Sequence, residues 1–351
     1  MSDSAFNGST SAPPATHSPG QAMNELRQPA IFPDGPMDTW SDVDSQPAFE
    51  VPAEGIAVLD RILTRDEIRL VGAIGPEPFT MEQARSVLSG EGTPWPEGLL
   101  APFLRSAYAR GVVQLEDESF TRFRIGSFYL RLEVFALSEP EAHLALPAET
   151  RESLDSWCLR EYVASLPDDV RPTSDRVLSL QDTLAVIDAA DRPIWLNRCD
   201  CRTLTGHCDK PTDVCISFRN GINTLQHRGW SKPLTKDEAK AVLRKADADG
   251  LMHTANEDGI CNCCSDCCYL FRAETARGTR PGVWPLAESV AALDPDLCIW
   301  CEVCLDRCPF DALTSLDGEI VQIAELCRGC GLCVETCPTD ALAMVPRSAS
   351  L

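Results

Sequence analysis

The chain has 351 residues, enough for two or three domains, and 44% of them are hydrophobic, so it can bury a sizeable core. With 53 acidic residues against 31 basic ones, the net charge of −22 argues against nucleic acid as a partner and favours a basic partner surface. No apolar run of about 18 residues and no secretory signal is present, so we expect a cytoplasmic protein without a membrane span. In that compartment the 18 cysteines predict metal ligands or redox groups rather than disulfides.

The N-terminal residues, 1–54, are rich in Ser, Pro, Asp and Gly and carry no apolar periodicity. A segment of this composition cannot bury enough apolar surface to offset the entropy of ordering its backbone. We therefore predict a disordered tail.

Residues 55–146 predict a small α+β domain. The stretch 63–75 forms a helix capped by Thr64, the stretch 79–90 forms a second helix capped by Thr80, and the stretch 99–118 forms a third helix that leads into a strand.

Alternation of apolar residues in FTRFRIGSFYLRLEVFAL, residues 120–137, predicts the strands of a hairpin after the third helix. Three helices followed by a β-wing resemble a winged-helix domain. A small packing module without a recognition function fits the same pattern.

Residues 147–290 predict a helical and Cys-rich metal-binding domain. Two helices are expected within 147–190, and nine cysteines surround one further helix, 234–250, which Thr235 caps and Gly250 ends. Cys158 stands alone in the first of these helices and is expected to be a small buried hydrophobe.

Residues 291–351 contain the same cysteine phrase twice. CIWCEVCLDRCP at 298–309 and CRGCGLCVETCP at 327–338 both read C-x2-C-x2-C-x3-C-P, and DAL follows each of them. The pattern over 295–346 resembles the bacterial dicluster ferredoxins, so we expect a ferredoxin fold with two 4Fe–4S clusters.

In such ferredoxins the first three cysteines of a motif bind one cluster and the fourth binds the other, because it lies too far along the chain to reach the same cube. A pair of zinc sites fits less well, since zinc sites usually use C-x2-C pairs separated by a longer loop. Carried over to this sequence, one cluster takes Cys298, Cys301, Cys304 and Cys337, and the second takes Cys327, Cys330, Cys333 and Cys308.

The nine cysteines of the middle region form a possible additional metal site with three competing interpretations. The first is one or two further clusters, with Cys199, Cys201, Cys208 and Cys215 as a complete set of four thiolates. The second is a zinc site that combines Cys264 and Cys267 with Cys199 and Cys201, and the third is a redox-active dithiol. In the first interpretation Arg198 and Arg202 neutralise the thiolates, and His207 is expected to be a surface residue rather than a ligand. The cysteines concerned are Cys199, Cys201, Cys208, Cys215, Cys261, Cys263, Cys264, Cys267 and Cys268.

As a whole, residues 60–346 resemble a group of ferredoxin-type proteins from anaerobes, which implies electron transfer to or from a redox partner protein. The sequence contains no nucleotide, flavin or haem motif, so it favours an electron carrier or an electron-transfer subunit of an oxidoreductase. Two alternatives stay open: a redox-sensing regulator that binds DNA through Arg105 and Arg110, and a thiol-dependent reductase component.

Overall fold

The computed structural model of the protein describes residues 49–90, 94–96 and 98–347. Most of the predicted disordered tail, residues 1–48, lies outside this range. Phe49 and Val51, which the sequence assigned to the tail, are buried in the core at 0% and 6% exposure. The folded part of the chain therefore includes the last residues of the predicted tail.

The N-terminal region contains short helices and a three-stranded antiparallel sheet with the order β1-β3-β2. Thr64 and Thr80 each close a capping box, with Glu67 and Gln83 three residues later, as the sequence predicted. The elements are α1 (Ala53–Ile56), α2 (Leu59–Ile62), α3 (Arg65–Ala73), β1 (Phe79–Thr80), α4 (Met81–Leu88), α5 (Leu100–Ala109), β2 (Val113–Leu115) and β3 (Arg122–Ile125).

The hairpin predicted over residues 120–137 is correct for its first strand and wrong for its second. Residues 122–125 form β3, but Phe128–Ser138 is a helix, α6, whose first turn is capped by the Ser127 hydroxyl. This helix is buried on most of its circumference, so its apolar residues carry no clear period. Periodicity alone cannot separate a strand from a helix that is buried all round.

A buried ion network joins α3, α5 and α6. Arg110 donates to Glu67 at 2.8 Å and to Glu139 at 2.5 Å, while the fully buried Arg131 donates to Glu139 at 2.8 Å. Both guanidinium groups also bond the carbonyl oxygen of Ile62. Because buried charges are costly unless they are paired, this network fixes how the three helices meet.

The middle region is built on a six-stranded antiparallel sheet with the order β4-β8-β9-β6-β5-β7. Helices α9 and α11 pack on it through an apolar core that includes Leu184, Ile187 and Leu243. Its elements follow α7 (Pro140–Leu144) and are α8 (Ala148–Ser165), β4 (Arg176–Leu178), α9 (Leu180–Ala189), β5 (Ile194–Arg198), α10 (Asp200–Thr205), β6 (Asp213–Ser217), β7 (Lys232–Leu234), α11 (Lys236–Ala248), β8 (Met252–Asn256), β9 (Gly259–Cys263) and α12 (Tyr269–Ala276).

The sequence predicted α8, α9 and α11 of this region but missed its sheet and the two short helices α10 and α12. Thr235 caps α11 with Glu238, as expected, and Gly250 follows its end with a positive φ of 80°. The strands, by contrast, are at most five residues long, and the cysteines of β6 and β9 range from exposed to buried. Strands this short carry too little alternation to be recognised from sequence.

The C-terminal region consists of two strand pairs and two short helices that carry the thiols. Strand β10 pairs with β13, and β11 pairs with β12, both antiparallel. The elements are β10 (Ser289–Leu293), α13 (Val303–Arg307), β11 (Leu313–Leu316), β12 (Glu319–Gln322), α14 (Leu332–Glu335) and β13 (Leu342–Pro346).

The two cysteine loops of this region share an unusual backbone. Trp300 and Gly329 are equivalent in the repeat and have φ of 56° and 73°, and Glu302 and Gly331 have φ of 62° and 76°. Positive φ strains every residue except glycine, most of all a bulky one. The first loop therefore accepts strain in order to take the same shape as the second.

The regions are packed against one another. Loop 221–230 of the middle region covers α5 and β2: Asn223 bonds the backbone of Leu115, and Trp230 Nε1 donates to the carbonyl of Ala109 at 2.6 Å. Tyr269 of α12 contributes to the same apolar core as Phe123 and Leu104 of the N-terminal region. Within the described part of the chain, no helix combines the length and the apolar character that a bilayer crossing requires.

Candidate metal centres

All eighteen cysteines are free thiols. In the C-terminal region, Cys304 lies within electrostatic range of the thiols of Cys298, Cys301 and Cys337. The structure thus brings together three consecutive cysteines of the first motif and the last cysteine of the second motif. This is the set that the ferredoxin resemblance implied for one cluster.

The second set meets in the same way. The thiols of Cys330 and Cys333 both lie near those of Cys327 and Cys308. Burial raises the pKa of Cys330 to about 12 and raises that of Cys333 further. Thiols of this kind become thiolates when a bound cation compensates their charge, so the donor set fits an iron–sulfur cluster.

The two sets differ in their exposure. Cys327 and Cys333 are buried, whereas Cys301 of the first motif is exposed. Apolar side chains next to Cys301 are exposed as well, with Ile299 at 61% and Val303 at 45%. Trp300 packs partly buried against the core of this region, which agrees with a packing role for its ring.

The nine middle cysteines separate into two groups, and each group draws from both sequence segments. The first group, called the thiol ring here, consists of six thiols that each neighbour two others: Cys199, Cys201, Cys268, Cys263, Cys261 and Cys215. The second group, called the thiol triad, consists of Cys208, Cys264 and Cys267.

This division corrects the grouping suggested by the sequence. Cys208 was expected beside Cys199, Cys201 and Cys215, but the structure pairs it with Cys264 at 3.7 Å. The structure likewise separates Cys264 and Cys267 from Cys199 and Cys201, which the zinc interpretation had combined in one site. Order along the chain could not reveal the grouping, because the fold interleaves two segments that lie about fifty residues apart.

The sheet explains why the ring forms. Strands β6 and β9 are neighbours, with Ile216 opposite Ile260, so Cys215 and Cys261 come together. Cys261 and Cys263 are two residues apart on β9, and alternate residues of a strand point to the same face. Helices α10 and α12 both begin at this face and bring in the remaining ring thiols.

A cavity of about 660 Å³ adjoins both groups. The six ring thiols and two triad thiols line it, together with Tyr129, Tyr162 and Tyr269. Among these lining thiols Cys261 is exposed, while Cys263 and Cys268 are buried. Space of this size next to converging donors is typical of a cofactor or ligand site.

The cavity also collects carboxyl groups. Burial, with the neighbouring thiols of Cys199 and Cys261, raises the pKa of Asp200 to about 7, and burial together with Asp200 raises that of Glu133 well above its ordinary value. Sequence reasoning missed both carboxyl groups. The position of Asp200 between two cysteines in CDCR was a signal that could have identified it, whereas nothing in the sequence around Glu133 on α6 marks that residue.

The basic residues that the sequence analysis named near the thiols make different contacts. Arg202 is 2% exposed, donates to the carbonyls of Pro211 and Asn262, and lies beside the middle thiols. Arg198 instead pairs with Asp213 at 3.0 Å. His207 directs Nε2 to an Asp155 carboxylate oxygen at 3.4 Å and not to a thiol.

Cys158 is 0% exposed within the apolar core of the N-terminal region. The structure thereby confirms the prediction that it is a buried hydrophobe. Because it belongs to neither the thiol ring nor the thiol triad, it is a suitable control residue.

One apolar cluster connects the thiol ring to the second C-terminal set. It contains Cys263 and Cys268 of the thiol ring together with Phe271 and Leu332, and Cys330 packs against it. The ring of Phe271 also contacts Phe310, which follows the first motif, at a centroid distance of 5.4 Å. An ion pair between Glu274 and Arg328, at 2.7 Å, closes the same junction.

Comparison with known families agrees with the geometry at the C-terminus. Residues 291–344 match the model of the 4Fe-4S dicluster domain. A search of curated proteins gives no significant match to the chain. The match covers the C-terminal region, so the description of the residues before it rests on the structure alone.

The dicluster domain and the number of cysteines together indicate an iron–sulfur protein of the electron-transfer class. The C-terminal sets supply eight thiols, which is the number that two four-thiolate clusters need. The middle thiols are additional to that requirement.

Proposed function

We propose that the protein passes electrons between an external redox partner and a further iron–sulfur cluster held by the thiol ring. The two C-terminal clusters lie between them. The apolar cluster that contains thiols of the ring and of the second C-terminal set is the observation that carries this proposal.

The shape of the thiol ring supports a cluster rather than a single ion. Within the described residues, the only acidic, Cys or His group whose donor atoms all lie within 4.8 Å of one another is the triad. Each ring thiol has one neighbouring thiol on either side of it around the ring, so the six sulfurs surround a space. The eight C-terminal thiols are likewise absent from any such compact group in the described chain.

The difference in exposure between the two C-terminal sets supports an assignment of which set exchanges electrons with the partner. The first C-terminal set includes the exposed Cys301, so we place the contact with the partner there. The second set is more buried and borders the middle region, which suits an internal step. An acidic chain of net charge −22 would attract a basic partner by long-range steering, and we place both in the cytoplasm, where thiols stay reduced.

The test is the iron and sulfide content of anaerobically purified protein. Three clusters require about twelve iron atoms per chain, whereas the C-terminal pair alone requires about eight. Cys215→Ser and Cys263→Ser should each lower the count to about eight and leave the EPR signals of the C-terminal pair unchanged.

Cys158→Ala is the matched control, because it removes a buried thiol outside the thiol groups and should keep about twelve iron atoms. About eight iron atoms in the unmodified protein would refute the middle cluster but not the C-terminal pair. A colourless protein containing zinc alone would refute the whole proposal.

The cavity favours a second candidate function, a reductase component that reduces a small molecule beside the ring thiols. Rapid alkylation distinguishes the two candidates. Ring thiols that react quickly with iodoacetamide in protein as isolated would be free thiolates, as thiol chemistry requires, whereas metal-bound thiols would react slowly.

For the N-terminal region we propose a winged-helix-like fold used for packing. The order of helices and the three-stranded sheet support the fold. Arg110, one of the two residues considered for DNA contacts, is 8% exposed and occupied by carboxylates, and Arg105 stacks over Phe120 at 4.5 Å. Since phosphate binding requires free clustered cations, these contacts argue against the regulator. A gel shift at low salt tests this, and retention of DNA would contradict it.

A further inference from the structure

We infer that the thiol triad of Cys208, Cys264 and Cys267 is a separate site for one soft divalent ion, zinc, with three thiolate ligands and a fourth coordination position open to the cavity. This site is independent of the cluster proposed for the thiol ring. It would clip the loop after α10 to the turn between β9 and α12.

The sulfur distances match a tetrahedral ion. Cys208 Sγ lies 3.7 Å from Cys264 Sγ and 3.6 Å from Cys267 Sγ. Zinc–sulfur bonds of about 2.3 Å in tetrahedral geometry place neighbouring sulfurs about 3.8 Å apart. A disulfide would bring two of these sulfurs to about 2.05 Å, so the spacing excludes a bond between Cys208 and either partner in this structure.

Mutual contact of all three sulfurs separates the triad from the thiol ring. A ring thiol is close to its two neighbours around the ring, as Cys263 is to Cys268 at 3.3 Å, whereas the ligands of one ion are all neighbours of one another. The C-terminal thiols, in the region that matches the dicluster domain, provide an internal reference. They form no group with all sulfurs within 4.8 Å in the described residues, while the triad does.

Buried donors surround the triad. Arg202 contacts Cys264 and Thr205 contacts Cys267. Arg202 Nε and Thr205 Oγ1 are buried, and neither has a hydrogen-bond partner of good geometry. Groups of this type stabilise metal-bound thiolates, because three thiolates and a dication leave a net negative charge that accepts hydrogen bonds.

The fourth position follows from what the chain provides. No fourth His, Cys, Asp or Glu atom among the described residues joins the compact group. His207, which precedes Cys208 in the chain, is directed to Asp155 instead. Cys264 and Cys267 line the cavity, so a water or a small sulfur or nitrogen donor entering it can complete the tetrahedron.

Metal analysis of the full-length protein, purified anaerobically without added thiols, tests the site. We expect about one zinc per chain. Cys208→Ser should lower zinc about ten-fold and leave iron unchanged, whereas Cys261→Ser should lower iron and leave zinc unchanged. Zinc near zero in the unmodified protein, or a Cys208→Ser variant that loses iron instead, overturns the inference. Because zinc and iron are counted separately, failure of the ring proposal does not affect this result.

X-ray absorption at the zinc edge of the unmodified protein decides the geometry without a variant. We expect three sulfur neighbours at about 2.3 Å and one lighter atom. Addition of 2-mercaptoethanol, as a small sulfur donor, should raise the sulfur count to four. Four sulfur neighbours before the addition, or a sulfur count that the addition does not change, would contradict an open fourth coordination position on the zinc.

Discussion

Two glycines of the second cysteine loop allow backbone strain to be separated from steric overlap. Gly329 and Gly331 both have positive φ, at 73° and 76°, and both lie beside ligand cysteines. A Cβ on Gly329 would overlap the backbone oxygen of Ser289, whereas the nearest atoms to a Cβ on Gly331 are Ser179 Cβ at 3.4 Å and Met344 Sδ and Ser179 Cα at 3.6 Å, which is ordinary van der Waals contact. Alanine therefore costs conformational strain at both positions and a clash at one.

The expected magnitudes follow from these contacts. A left-handed conformation costs alanine about 1–2 kcal/mol at either position. At Gly329 the opposing oxygen belongs to β10, which pairs with β13 along its length, so the backbone cannot move aside without breaking that pairing. We expect Gly329→Ala to cost more than about 4 kcal/mol and Gly331→Ala to stay within about 2 kcal/mol.

Iron content reports the outcome, because the loop holds the second C-terminal set of thiols. Gly329→Ala should lose about four iron atoms per chain, and Gly331→Ala should retain them but release iron at a lower urea concentration. Equal iron retention and equal urea midpoints in the two variants would refute the steric reasoning.

Three further predictions concern stability. Glu302→Gly, at the position equivalent to Gly331, should remove about 1 kcal/mol of strain and raise the urea midpoint of iron release; a lowered midpoint would contradict it. Glu139→Gln should cost about 3–5 kcal/mol in thermal unfolding because it leaves the fully buried Arg131 without its carboxylate, while Glu116→Gln in an exposed pair should cost less than about 1 kcal/mol; similar losses in both would contradict it. Burial lowers the pKa of His143 from 6.5 to about 4, so its neutral form favours the folded state and stability falls as the pH drops from 6.5 through 4. Between pH 7 and pH 4 the free energy of unfolding of His143→Leu should therefore fall by about 2–3 kcal/mol less than that of the unmodified protein. An equal fall in the two proteins, measured by urea unfolding at both pH values, would contradict this.

Local signals in the chain were sufficient where the structure depends on near neighbours. Thr64, Thr80 and Thr235 cap their helices in the structure as their spacing to Glu and Gln indicates. The duplicated cysteine phrase indicated the dicluster domain, since three of the four cysteines in each set lie within one short loop. Such features are decided by residues three to six positions apart.

Features that depend on distant neighbours were missed or misassigned. Helix α6 was expected to be a strand, because burial on most of its circumference removed the period that identifies a helix. The buried network of Arg110, Arg131 and Glu139 gave no signal, since charged residues are usually exposed and their pairing is created by helix packing.

The sequence by itself determined that sulfur chemistry governs this protein, because 18 cysteines and one repeated phrase are properties of the chain. Only the tertiary structure decided how the nine middle thiols divide into the ring and the triad. The reason is physical: neighbouring strands β6 and β9 and the starts of α10 and α12 set which sulfurs meet, and a metal responds to distances between sulfurs rather than to their order along the chain.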